Sequence, residues 1–243
     1  MTRFPAELAE ILTPKGRDLL EGKGADAGVL GRQPFYFSTE LIEPEFARAA
    51  PRILERAFAD LMIEMNAALP SAKSAVAAGA DRLPKVTRCL TTPHGAQQGD
   101  PVWVRGEECG LIPMLTSGSY TRFVAALCGH PVEGPATMQA LCLRPGDYAG
   151  PHTDHHPEHA ETRDGYTDVH LTFCTPGVEQ QYIVYARERH FSDMVDISRG
   201  GTVTAYRLPL WHYTTPMQGS PEARRWLVLN TFVHPGMGTV GPH

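Results

Sequence analysis

Two residues of the right type and spacing to hold a metal stand in the segment LRPGDYAGPHTDHH, residues 143–156: His152 and Asp154. In an extended chain, side chains two positions apart point to the same side, so an imidazole and a carboxylate converge on one ion. A third donor must come from elsewhere, and His212 in YRLPLWHYTTPM is the candidate. Two histidines and one carboxylate on one face of a metal leave positions open. That suits iron(II), which can then take oxygen and a chelating cosubstrate together. A cosubstrate that chelates through a keto acid needs a fixed cation for its distant carboxylate, and arginine offers permanent charge and bidentate geometry. The run EARRWLVLNTFV supplies Arg224 and Arg225. Strand alternation lets only one of them point inward. Arg225 would share its face with Leu227, Leu229 and Thr231; Arg224 would share with Trp226, Val228 and Asn230. Arg225 is preferred and Arg224 is the alternative.

Such residues need strands to hold them. From about Met138 onward, short runs rich in β-formers alternate with turns: MQALCL, TDVHLTF, QQYIVYA, MVDIS, TVTAYRL and RRWLVLNTFV. Arg144-Pro145-Gly146-Asp147, Thr175-Pro176-Gly177 and Arg199-Gly200-Gly201 are turn signals between them. Strands of this length and spacing predict an antiparallel barrel or sandwich. The first third reads as helical. A short helix is expected over residues 5–12, begun by Pro5, and a longer one over 44–69, where Phe46, Ile53, Ala57, Leu61 and Met65 mark one buried stripe. A third is expected over 120–127, with Ser117 or Ser119 as N-cap and Gly129 as its stop. Helices first and strands afterwards make an α+β chain.

Composition bounds the function. The net charge is −5 with no basic run, which excludes a nucleic-acid partner. No stretch approaches the roughly 20 apolar residues that span a bilayer. The N-terminus, MTRFPAELAEIL, lacks the charged and apolar regions of a secretory signal. A cytoplasmic protein, off the membrane, is expected. The 5 cysteines are scattered with no Cys-x-x-Cys pair, which argues against a disulfide framework and a structural zinc site. No Gly-x-Ser-x-Gly motif points to a nucleophilic hydrolase.

Taken in order, LRPGDYAGPHTD, ISRGGTVTAYRLPLWHYTTP and RRWLVLNTF resemble the iron(II)- and 2-oxoglutarate-dependent dioxygenase superfamily, in its small-molecule or free-amino-acid hydroxylase type. The pattern is a strand, a Pro-Gly-Asp turn, His-x-Asp, a distant His followed by a proline, and an Arg on the next strand. It covers roughly residues 138–233. The resemblance implies a double-stranded β-helix, a jelly-roll or cupin-like barrel, with N-terminal helices packed on it. The organisation expected is a single domain over 1–243: a mostly helical part with loops over 1–135, the double-stranded β-helix core over 136–235 and a tail over 236–243. His152, Asp154 and His212 would bind iron(II), and Arg225 would anchor 2-oxoglutarate. Many family members carry a serine two residues after the arginine; here Leu227 stands there, so a hydroxyl must come from another strand, for which Thr172 or a nearby tyrosine is the candidate. Asp154 fills the position that relatives with a halide on iron leave small, so hydroxylation is expected rather than halogenation. The implied reaction hydroxylates an unactivated C–H bond of a small polar molecule, a free amino acid or natural-product intermediate. It consumes oxygen and 2-oxoglutarate, with ascorbate as a stimulant. A monomer or homodimer is expected.

Simpler readings stand beside these. His156 and Glu158 form a second His-x-carboxylate, disfavoured by the intervening Pro157 and by the lack of a leading strand. His155 and His159 read as loop residues, and His94 belongs to a Gly/Pro/Gln-rich loop. His170 shares a strand face with Thr172 and is either a hydrogen-bonding partner of the cosubstrate or a satisfied core histidine. Arg88, followed by that loop, is the candidate for a substrate carboxylate, against a plain surface arginine. Trp211, beside His212, would wall the substrate pocket or simply fill core. Two other functions remain open: a cupin-like metalloenzyme that does not use 2-oxoglutarate, and a non-catalytic ligand-binding barrel.

Overall fold

A computed structural model describes residues 2–68, 86–93, 97–154, 165–187 and 190–235, excepting the side chains of 67, 68, 136 and 137. The elements follow from local chemistry. After a 3-10 turn at Leu8–Ile11 comes α1, Pro14–Leu20, with proline in its first turn and the Thr13 hydroxyl accepting from the Gly16 amide at 3.1 Å. The expected helix over 5–12 is therefore only that 3-10 turn. The next strand, β1, is Phe35–Ser38.

Helix α2 spans Pro44–Phe58 and buries Phe46, Ile53, Leu54, Ala57 and Phe58. It ends well short of residue 69. A 3-10 turn at Ala59–Leu61 leads into β2, Ile63–Ala68, which pairs antiparallel with β3, Val86–Thr91. Met-Ile-Glu-Met-Asn fits a period of two as well as one of 3.6, and the partner strand decides between them. Three more helices follow: α3, Pro101–Glu108; α4, Leu111–Leu115; and α5, Gly118–Cys128. As the sequence suggests, Ser117 caps α5, its hydroxyl accepting from the Tyr120 amide at 3.2 Å, and Gly129 stops it at φ 79°.

The strands that follow are β4 (Glu133–Leu143), β5 (Tyr166–Cys174), β6 (Val178–Gln180), β7 (Tyr182–Arg187), β8 (His190–Asp196), β9 (Thr202–Arg207), β10 (His212–Thr214), β11 (Gln218–Gly219) and β12 (Arg225–Val233). They form an α+β fold of antiparallel sheets. The large sheet has the order β1-β9-β5-β12-β4-β3-β2; β10-β7-β8 and β11-β6 form smaller sheets. The first third is thus less helical than its sequence reads, because β1, β2 and β3 supply both edges of the large sheet.

Register assigns every side chain of this sheet to a face. Leu227 pairs with Thr172, Leu229 with His170 and Thr231 with Asp168. Thr172 also pairs with Thr202, His170 with Thr204 and Asp168 with Tyr206. Directly paired residues share a side, so Arg225, Thr172, His170, Asp168 and Tyr206 line one face. The opposite face presents Val169, Leu171, Phe173, Trp226, Val228 and Phe232, which pack with Phe46, Ile53 and Leu54 of α2 and Phe123 and Leu127 of α5 in the main core. A smaller apolar cluster of Phe35, Tyr166, Ile183, Ile197, Tyr206, Leu208 and Leu210 packs on the polar side.

Candidate metal centre and cosubstrate anchor

The loop that carries His152 is fastened before the histidine is reached. Gly146 turns it at φ 87°, where a side chain is strained and an added Cβ would lie 2.9 Å from the Arg88 guanidinium. Asp147, 1% exposed, accepts from the Arg144 amide at 2.9 Å, Arg144 Nε at 3.0 Å and Arg88 Nε at 3.1 Å. The chain then runs antiparallel to β10. Thr214 Oγ1 accepts from the Ala149 amide at 2.8 Å, and His152 and His212 exchange both backbone hydrogen bonds, at 2.9 and 3.0 Å. Their rings meet at a centroid distance of 4.4 Å.

Asp154 completes the group. Its Oδ1 lies 3.4 Å from His152 Nε2 and its Oδ2 lies 3.7 Å from His212 Nε2. One donor atom from each of the three falls within 4.8 Å of the others. The tautomers follow from the second ring nitrogens: His152 Nδ1 lies 2.6 Å from the Gly150 carbonyl, and His212 Nδ1 lies 3.0 Å from that of Leu210. A carbonyl only accepts, so each Nδ1 carries the proton and each Nε2 offers its lone pair, the arrangement typical of a metal-bound histidine. Burial pushes the His212 imidazole down to about 4, leaving it neutral at pH 7. Burial works to raise the Asp154 carboxyl, but positive charge at His152, and then at His212, holds it below its ordinary range, and a cation bound between the three groups would do the same. Two imidazoles, each neutral when it binds a metal, and a carboxylate are a donor set that fits a divalent first-row metal.

Arg225 supplies the cation. It is 3% exposed, and its guanidinium donates to the Ile197 carbonyl at 3.0 Å, Gln181 Oε1 at 3.3 Å and Thr172 Oγ1 at 3.1 Å. All of these acceptors are neutral, and among the described residues no carboxylate comes within ion-pair distance of it. Burial lowers it to about 10, so it stays charged at neutral pH. A buried charge without a counter-ion is costly, and an anionic ligand would relieve it. Arg224 lies outside this face; its Nη1 donates to the Pro221 and Ala223 carbonyls.

The remaining sequence candidates divide. Thr172 is buried against Arg225, and buried His170 places Nε2 3.1 Å from the Tyr206 hydroxyl. Trp211 directly precedes His212 and is partly buried. Arg88 is held by Asp147 and lines a cleft of about 390 Å³ with Arg144, Pro145, Gly219, Pro221 and Arg224; no triad residue lines that cleft. His94, His155, His156, Glu158 and His159 lie outside the described residues.

Three residues at the site went unnoticed in the sequence. The Tyr206 hydroxyl donates to Asp154 Oδ2 at 2.9 Å and lies 3.4 Å from His212 Nε2. Asp168 is buried, accepts from the Thr231 hydroxyl at 2.6 Å, and is raised well above the usual carboxylate range by burial and by Asp154. Gln181 is the third. The signal for the first two was alternation: Asp168 stands two before His170, and Tyr206 stands four after Thr202.

No protein-family model matches this sequence, and no curated protein matches it either. Solved structures do. A 2OG-Fe(II) oxygenase family oxidoreductase from Burkholderia pseudomallei is similar with a TM-score of 0.54 and 11% identity, over 93% of this chain and 94% of that one. The epimerase SnoN, in complex with Fe3+, alpha ketoglutarate and nogalamycin RO, is similar with a TM-score of 0.52 and 10% identity, over 93% and 92%. The alpha ketoglutarate dependent carbocyclase SnoK from nogalamycin biosynthesis is similar with a TM-score of 0.50 and 13% identity, over 88% and 85%. The fold is the one these 2-oxoglutarate/iron(II) oxygenases share.

Proposed function

We propose that this protein is an iron(II)- and 2-oxoglutarate-dependent oxygenase, built on a double-stranded β-helix, that hydroxylates an unactivated C–H bond of a small polar molecule such as a free amino acid or natural-product intermediate. The observation that carries the reading is the pairing of two features. His152, Asp154 and His212 converge within 4.8 Å, and the strands beside them hold Arg225, a buried cation with only neutral partners. Iron(II), with 2-oxoglutarate and oxygen, would supply oxidising power that no side chain has.

The chain supplies holding and orientation. The Gly150 and Leu210 carbonyls fix the two imidazoles, and Tyr206 steadies Asp154 by donating to Oδ2. Arg225, with Thr172, would receive the distant carboxylate of 2-oxoglutarate. The apolar cluster around Ile183, Ile197 and Leu210 excludes water on that side of the sheet.

The test is succinate formation by the full-length protein with iron(II), 2-oxoglutarate and ascorbate, across a panel of free amino acids and related small metabolites. The expected result is iron-dependent succinate that rises with the right substrate, a product heavier by one oxygen, and loss of both in Asp154→Ala. No succinate above background under any condition with the wild-type protein would reject the proposal.

A further inference from the structure

Three side chains that the oxygenase reading leaves unused meet on the helix-covered face of the large sheet. Cys128 is the last residue of α5, His130 follows the Gly129 stop, and His234 follows the end of β12. One donor atom from each lies within 4.8 Å of the other two. The two imidazoles meet edge to face, with centroids 4.7 Å apart and planes at 77°.

Hydrogen bonds decide which nitrogens are bare. His130 Nδ1 lies 2.9 Å from the Pro131 carbonyl, so that nitrogen carries the proton and Nε2 holds a lone pair. His234 Nε2 lies 2.8 Å from Thr167 Oγ1, which in turn lies 3.6 Å from Cys128 Sγ. With Nε2–H donating to the threonine and the threonine donating to sulfur, His234 Nδ1 is bare. These two nitrogens, His130 Nε2 and His234 Nδ1, are both buried without a hydrogen-bond partner among the described residues, and His234 is only 1% exposed. A buried polar atom left unsatisfied costs about 1–3 kcal/mol. Two such lone pairs beside a thiol are explained at once by a cation between them.

We propose that Cys128 Sγ, His130 Nε2 and His234 Nδ1 form a second metal site, for a thiophilic divalent cation of the zinc class, with a fourth tetrahedral position left to water. Zinc takes sulfur at about 2.3 Å and nitrogen at about 2.0–2.1 Å, so donors that lie within 4.8 Å of one another need to close by no more than about 1 Å. The thiol makes this site soft, whereas the triad on the other face is all nitrogen and oxygen and suits iron(II). Binding forms the metal–sulfur bond and releases the Cys128 proton to solvent. Arg207 lies close enough to act on Cys128 and His234, and the thiolate leaves the loaded site with one net positive charge rather than two beside it. The ion would clasp the end of α5 to the end of β12. Cysteine spacing points away from zinc because the third ligand arrives only through the fold.

Cobalt(II) titration of the full-length protein tests this, since a cobalt–thiolate bond gives a near-ultraviolet charge-transfer band that cobalt in the sulfur-free triad does not. The band is expected to saturate at one thiolate-bound ion per chain and to be displaced by zinc. It should vanish in Cys128→Ser and His234→Gln and survive in Asp154→Ala, which keeps this outcome separate from the fate of the oxygenase reading. Zinc should also raise the melting temperature of wild type but not of Cys128→Ser. No band in the folded wild-type protein, or a band that persists in Cys128→Ser, would overturn the proposal.

Discussion

The two faces of β5 carry opposite chemistry. Tyr166, Asp168, His170 and Thr172 point to one side, and three of the four hydrogen-bond to another residue of the site; Val169, Leu171 and Phe173 point to the other and disappear into the main core. Backbone and strand are the same, and alternation alone separates a surface that holds the fold from one that can hold reactants. A rigid apolar face is what allows the polar face to keep an uncompensated arginine and a buried aspartic acid in place.

The sharpest way to break this division is Phe173→Ala. Phe173 is fully buried with its ring edge-on to Phe4 and Phe46, at 6.1 and 5.8 Å. Truncation should cost about 3–5 kcal/mol of stability in denaturant unfolding, while turnover per folded molecule stays near wild type. A loss of turnover without a loss of stability would mean that the faces are not independent.

Arg225→Gln probes the other side. Charge-assisted hydrogen bonds contribute about 1.5–3 kcal/mol, so KM for 2-oxoglutarate should rise about 10- to 150-fold, with little change in iron affinity. An unchanged KM would mean that Arg225 does not hold the cosubstrate's distant carboxylate.

The third effect is one of pH, and over any single pH unit it is the smallest. Burial pushes His170 down to about 3, against roughly 6.5 in an unfolded chain. A depressed histidine contributes stability that is fully present above the unfolded value and is lost as pH falls toward the folded one. Between these limits the unfolded state holds one more proton, which tilts stability by about 1.4 kcal/mol per pH unit. In metal-free protein, His170→Gln should flatten the pH dependence of the unfolding midpoint below pH ~6.5; an identical slope would mean that His170 is already protonated in the fold.

What could be read from the sequence follows the same alternation. Strands β4, β5, β7, β8, β9 and β12 announce themselves through β-branched and aromatic runs between Gly/Pro turns, whereas the two- and three-residue β6, β10 and β11 do not; His-x-Asp was visible because its two members stand on one chain segment. The α5 boundaries were visible because Ser117 and Gly129 act locally. The edges of the large sheet were not, because β2 becomes a strand only when β3 pairs with it. Tyr206 escaped notice for a related reason. Its hydroxyl reaches Asp154 across 52 positions, and the two come together only because the backbone pairing of His152 with His212 carries the Asp154 segment over the polar face of the large sheet. Arg88 looked available because its partner, Asp147, is 59 residues away.

The central claim is that His152, Asp154 and His212 share one iron beside an arginine that holds its cosubstrate. The most direct measurement is an anaerobic iron(II) titration with and without 2-oxoglutarate, on wild type and Asp154→Ala. The account predicts one equivalent per chain that 2-oxoglutarate tightens in wild type, and no such cosubstrate-dependent equivalent in the variant. An Asp154→Ala protein that binds iron(II) and responds to 2-oxoglutarate as wild type does would contradict it.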